Sequence, residues 1–175
     1  MAQLVKLQGF DVVLAIRLLK PAGTLAELAL ELGVVPSQVH ASVKRLEIAG
    51  LVRPGTRNTN RHALQEFIEH GVRYAFPAQA GRPARGIPTS HSAPLLAEHI
   101  DSADAFVWPA TNLPGAVNGL SITPLYANAP ALAESSPEMY QAVSLIDAFR
   151  VGGARERAIA LPLLTGLMYG AAAVA

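Results

Sequence analysis

Residues 24–52, TLAELALELGVVPSQVHASVKRLEIAGLV, decide the reading of this chain. Thr24 can N-cap a helix, and Glu27, three residues on, completes a capping box. Leu25, Leu28, Ala29 and Leu32 repeat at helical spacing and make one apolar face. Gly33 stops that helix, because glycine enters the left-handed region without a Cβ penalty. Pro36 suits the first position of a second helix, where a backbone N–H is not needed. Val39, Val43 and Leu46 fall at i, i+4 and i+7 and mark its buried face, and Ala49-Gly50 closes it. Two helices joined by so short a turn sit at a fixed angle, and the second turns its other face outward.

Before this stretch, residues 11–19 read as a helix, with Val12, Val13, Ile16 and Leu19 inward and Lys20-Pro21 and Gly23 at its end. After it, Leu51-Val52-Arg53 reads as a short strand and Pro54-Gly55 as a turn. The polar TRNTN follows, and then a helix over 61–70 with Leu64, Phe67 and Ile68 inward. Gly71 is expected to cap it, and VRYAF (72–76) to form a strand.

Nine of the thirteen prolines lie between positions 77 and 137, so long helices are disfavoured there. The segment also holds too many large apolar residues for a disordered linker. It reads as an irregular but ordered layer, with a short helix at 95–100 and short strands at 106–108 and 120–122. Ser136 as N-cap and Pro137 at the first position then open a helix whose stripe is Met139, Val143, Ile146 and Phe149. Gly152-Gly153 breaks it, and a last helix begins at Ala154, which Pro162 should kink or end.

The opening stretch resembles the winged helix-turn-helix of bacterial transcriptional regulators, in the broad MarR/IclR-like sense. The matching residues are Ala26-Glu27-Leu28-Ala29, Leu32-Gly33, Ser37, Val39, Val43, Arg45-Leu46 and Ala49-Gly50-Leu51-Val52. With the preceding helix and the wing, the likeness covers residues 11–61 and leaves the rest unassigned. Two departures stand out: Val35 occupies a position often held by a Ser or Thr cap, and Pro54 shortens the wing. The expected class is α+β and mainly helical. A winged helix-turn-helix domain (1–75) would be followed by a dimerisation, partner or sensor region (76–175), made of the proline-rich layer and a C-terminal helical pair.

The resemblance implies that the second helix enters the DNA major groove, which at about 12 Å wide admits an α-helix. Its outward face would be Ser37, Gln38, Ala41, Lys44 and Arg45, with His40 at the margin. Gln38 can pair with adenine, Ala41 allows close approach to a thymine methyl, and Ser37 can serve a base or a phosphate. Lys44 and Arg45 suit phosphates. In the wing (52–60), Arg57 is the candidate for the minor groove or its phosphate rim, flanked by Arg53 and Arg61. The implied protein is a cytoplasmic, dimeric repressor acting on double-stranded DNA. It would be no enzyme, with no cofactor and no metal. A protein partner or small-molecule effector would act through the C-terminal half. The alternatives are an antitoxin-like autoregulator and an adaptor that binds protein alone.

Composition sets the bounds. Half of the 175 residues (51%) are hydrophobic and only 15% are charged, against about 25% in ordinary domains. So little charge favours an oligomer that hides apolar surface. The chain has no cysteine, which excludes disulfides and thiolate metal sites. No apolar run reaches the ~18 residues of a membrane span, and MAQLVKLQGFDVV lacks the order of a signal peptide. The apolar end, LPLLTGLMYGAAAVA, reads as a packed or frayed terminus. Residues 1–75 carry nine Lys/Arg and six Asp/Glu, and residues 76–175 carry five and seven. A basic first half and an acidic second half fit a nucleic-acid module joined to something else.

Other groupings read as structure rather than chemistry. His91 and His99 near Asp101 and Asp104 fit no metal-ligand spacing. His62 and His70 read as solvated helix ends. Ser90-His91-Ser92 reads as a turn, since no Gly-x-Ser-x-Gly elbow accompanies it. GRPARG (81–86) lacks the phosphate-loop lysine and reads as a solvated loop. Tyr74, Phe76, Trp108 and Tyr126 read as core or interface packing. Arg150, Arg155, Glu156 and Arg157 beside the apolar stripe are taken as a dimer interface.

Overall fold

The computed structural model describes residues 4–170. The alanine-rich end at 171–175 lies outside the described residues, as do positions 1–3. The class is α+β, about 54% helical with one small sheet of three strands. Among the described residues no helix is long and apolar enough to cross a membrane.

Helix α1 (Gly9–Arg17) is buried from Phe10 to Ile16. Helix α2 (Leu25–Leu32) opens on the full capping box: the Glu27 N–H donates to Thr24 Oγ1 at 3.1 Å and the Thr24 N–H to Glu27 Oε2 at 2.7 Å. Gly33 ends it at φ +67°, a conformation that an L side chain resists. Helix α3 (Pro36–Ile48) follows, with Val39, Ser42, Val43 and Leu46 buried. Val35 offers no capping oxygen, so the first-turn N–H groups of α3 lack a side-chain cap. Both α1 and α2 pack on α3.

The wing segment is narrow. Its only ladder contact is a bridge between Val52 and Thr59, and the Thr59 hydroxyl donates to the Ala15 carbonyl at 2.6 Å. The loop base is thereby fastened to the middle of α1.

Helix α4 (Arg61–Glu66) runs through a π turn (Phe67–Gly71) into α5 (Val72–Ala75). This overturns two expectations: Gly71 is not a cap, and residues 72–76 are not a strand. Leu64, Ile68 and Val72 recur every four residues and are all fully buried. That continuous stripe outweighs the strand preference of a short β-branched and aromatic run.

The proline-rich layer is built on β1 (Pro83–Pro88), β2 (Phe106–Pro109) and β3 (Val117–Ser121). GRPARG is therefore no free loop, since β1 begins at its Pro83. β1 pairs antiparallel with β3 (Ala84 opposite Gly119) and with β2 (Ile87 opposite Trp108). β2 and β3 pair in parallel (Phe106 opposite Leu120), so the three strands close on one another. Gly86 sits where β1 changes partners, and a Cβ there would run into the Trp108 carbonyl. The helix expected at 95–100 is the single turn α6 (Pro94–Ala97), and a further turn, α7 (Leu132–Ser135), precedes the long C-terminal helices.

Helix α8 (Pro137–Val151) is the central element, buried at eleven of its positions. It starts at Pro137 as read, but the Ser136 side chain makes no capping bond. Helix α9 (Ala154–Tyr169) continues past Pro162 instead of ending there. One apolar cluster runs from Phe10 in α1 to Met168 in α9. The stripe Met139, Val143, Ile146 and Phe149 belongs to it, so this face is spent inside the chain and is not available to a second copy.

Asp147 locks α8 to the sheet. It is fully buried, and its Oδ2 accepts from Thr89 Oγ1 and Trp108 Nε1, both at 2.7 Å. Arg150 Nη1 meets its Oδ1 at 2.6 Å and also reaches the Thr123 carbonyl, while Nε reaches that of Phe76. Burial pushes the Asp147 pKa up, against the opposing pull of Arg150, Thr89 and Trp108. Arg150 is thus an internal brace and not part of an outer surface. Arg157 caps the Gly152 carbonyl at 2.6 Å.

Candidate nucleic-acid interface

Helix α3 turns Val39, Val43 and Leu46 into the core, which leaves its other side to solvent. Ser37, His40, Ala41 and Lys44 are exposed there, and Gln38 is half-buried. The loop after α3 carries Arg53 and Arg57, both exposed; Arg57 lies beside α3, whereas Arg53 lines a separate cleft with Arg61. Between α2, α3 and this loop lies an open groove of about 670 Å³, lined by His40, Lys44, Glu47, Thr56 and Arg57 among others.

Glu47 sets the shape and the charge of that groove. Its Oε1 accepts from the Gly55 N–H at 3.1 Å, which holds the loop tip against α3. Its Oε2 lies 3.3 Å from Lys44 Nζ. The carboxylate therefore orders the loop and offsets part of the positive charge. Arg57 donates to the Gly23 carbonyl, which fixes the far side of the loop to the start of α2.

Two expected contacts are withdrawn by the geometry. Arg45 does not face outward: Nε and Nη2 form a two-pronged pair with Asp11 at 2.8 and 2.7 Å. Asp11 is fully buried, while the Arg45 side chain is 20% exposed. The Ser42 hydroxyl and the Gln8 N–H supply the remaining donors, at 2.6 and 2.7 Å. Asp11 holds the Arg45 pKa above its ordinary value. A buried carboxylate needs such a counter-charge, and Arg45 lies one residue beyond the outward row. Its role is to bind α3 to α1.

Arg61 stays exposed but is turned away from α3 toward the end of α9. Its guanidinium donates to the carbonyl of Met168 and, at 3.1 Å, to that of Leu19. It ties the start of α4 to the ends of α9 and α1. Of the candidate cations, Lys44, Arg53 and Arg57 are exposed toward solvent, Lys44 beside Glu47 and Arg57 with one bond to the Gly23 carbonyl.

The remaining polar candidates are scattered. His91 is buried, with Nε2 2.8 Å from the Asp104 carbonyl, whereas His99, Asp101 and Asp104 are exposed. Ser90-His91-Ser92 is a single 3-10 turn. The sequence reading passed over Asp11, Ser42 and Glu47. A lone aspartate in the apolar run FDVVLAI was the available signal, because a charge on a core face requires a partner. Its partner lies 34 residues away, beyond what local spacing reveals.

No family model, curated protein or solved structure matches this chain.

Proposed function

We propose that the chain is a DNA-binding transcriptional regulator, a winged helix-turn-helix protein that works as a dimer. The observation that carries this reading is the outward row Ser37, Gln38, His40, Ala41 and Lys44 on one helix, with Arg57 beside it and Arg53 exposed on the same loop. A small residue between hydrogen-bonding side chains lets a helix approach base edges, and flanking cations suit phosphates. In this reading α3 enters the major groove and the short loop meets the adjoining backbone. The C-terminal half carries pairing and any signal, and occlusion of a promoter is the simplest action.

The test is fluorescence anisotropy on the DNA upstream of the coding region, against scrambled DNA, across a salt series. With Lys44, Arg53 and Arg57 on phosphates, the log-log salt slope is expected near −2.7 per protomer and roughly twice that for a dimer. No sequence preference at any salt would sink the reading.

The rival is a protein-interaction adaptor, of which an antitoxin-like autoregulator is one form. Leu30, Val35 and Ile48 are 85%, 59% and 56% exposed around the same helices, and exposed apolar groups suit a protein partner. An adaptor would keep its partner after Gln38→Ala and Lys44→Ala, whereas a DNA reader would lose its operator.

A further inference from the structure

Two clefts flank a common wall where the N-terminal helices meet the end of α9. Each encloses about 450 Å³, and Leu19, Arg61 and Tyr169 line both. Their chemistry differs. The first has an aliphatic floor of Ile16, Leu19, Met139, Ala142 and Leu167. The second is lined by Arg53, Asn58, Thr59, Asn60, Arg61 and His62, with no carboxylate among the described residues. The carboxylates at the first cleft, Glu31 and Glu138, are already paired with Arg17 and Lys20.

We infer that this pair of clefts binds a single-chain amphipathic anion. The acid group sits against Arg53 and Arg61 in the polar cleft. The aliphatic body lies across Leu19 onto the apolar floor. Uncompensated cations attract an anion, and a concave aliphatic surface beside a few polar groups is the usual form of a small-ligand site. Arg61 is held by the Met168 and Leu19 carbonyls, so its guanidinium is positioned before any ligand arrives, which lowers the cost of binding. The Arg53 side chain makes no hydrogen bond or ion pair among the described residues, and is free to close on the acid group.

This site shares Arg53 with the interface proposed above. A bound anion neutralises a charge that would otherwise meet DNA phosphate, so ligand and DNA compete. That consequence rests on the DNA-binding reading, but the site itself does not.

Isothermal titration calorimetry of the full chain with octanoate tests the site, with octan-1-ol and acetate as controls. Octanoate is expected to saturate at one molecule per chain with Kd at or below about 1 mM, and both controls to bind roughly tenfold more weakly. Arg53→Glu removes the head contact and Leu167→Trp fills the floor, and each should weaken octanoate by roughly tenfold or more. Arg53 is exposed, so that variant decides the matter even if Leu167→Trp fails to fold. Absence of saturable heat, or affinity unmoved by Arg53→Glu, overturns the site. Equal affinity for octanoate and octan-1-ol also overturns it, since the acid group would then count for nothing. Anisotropy with DNA and octanoate together reads the competition separately. If octanoate binds but DNA affinity is unchanged, the competition fails and the site stands. If the free protein binds no DNA, the regulatory reading fails and the calorimetric result is untouched.

Discussion

Asp11 in α1 and Asp147 in α8 are both fully buried, yet they are held in different ways. Asp11 is answered by Ser42 and Arg45, three residues apart on one neighbouring helix. Asp147 is answered by Arg150 on its own helix and by Thr89 and Trp108 from separate parts of the sheet layer. The first joins two helices at one seam. The second joins α8 to two neighbouring strands that already pair with each other, Ile87 opposite Trp108, and that α8 also meets through Tyr140 on the Pro88 carbonyl. Asp11 thus fastens two helices close in sequence, whereas Asp147 ties α8 to strands up to 58 residues away.

The largest test of that contrast is Asp147→Ala. It strands the Arg150 guanidinium in the core and leaves the Trp108 N–H unanswered. Removing one partner of a buried ion pair costs about 3–5 kcal/mol, so urea unfolding should show a loss of that order, with the near-ultraviolet signal of Trp108 disturbed. Arg45→Ala comes next. It leaves Asp11 its Ser42 and Gln8 donors, and because Arg45 is partly solvated the expected loss is smaller, about 2–3 kcal/mol. An equal loss in the two variants would erase the distinction.

Lys44→Ala sharpens the comparison from the other side. Lys44 is adjacent to Arg45 but exposed, and its bond to Glu47 spans 3.3 Å at the surface. Stability should change by no more than about 0.5 kcal/mol, while under the proposed DNA-binding reading the salt slope should shrink by about 0.9. Two neighbouring cations would then act on two different observables, one on unfolding and the other on DNA.

A further effect is alkaline. Tyr140 in α8 donates to the Pro88 carbonyl at 2.7 Å, and burial pushes its pKa from 10.0 up to about 12, with Ser144 opposing. Tyr126 is raised as well, by burial and by Glu31. Above pH 10 the unfolded tyrosines release protons that the folded ones keep, so stability falls as pH rises. The contribution is complete below pH 10 and lost through about pH 12. Tyr140→Phe, melted at pH 8 and pH 11, should narrow the difference between the two.

The contrast also explains what could be read from the sequence. The capping box at Thr24, the glycine stop at 33 and the row Val39, Val43, Leu46 are local signals, and the helices follow them. The strands at 106–108 and near 120 and the start of α8 at Pro137 were legible for the same reason. The π turn at 67–71 was not, because a glycine after a helical run looks like an end unless Val72 is known to be buried. β1 was hidden because its two prolines resemble loop chemistry, and only pairing with β2 and β3 makes it a strand. Of the proposed interface, the exposed face of α3 was legible, but Arg45 was misplaced because its partner Asp11 lies far off in sequence, and the ties of Arg61 to Leu19 and Met168 were equally out of reach.

The closed arrangement of β1, β2 and β3 bears on behaviour in concentrated solution. An open sheet offers a row of free N–H and C=O groups on which another chain can template itself, the usual start of strand-mediated aggregation. Here each strand meets both of the others, so that route is blunted. With the strand edges largely taken up inside the layer, contacts between copies fall more readily to helices and side chains.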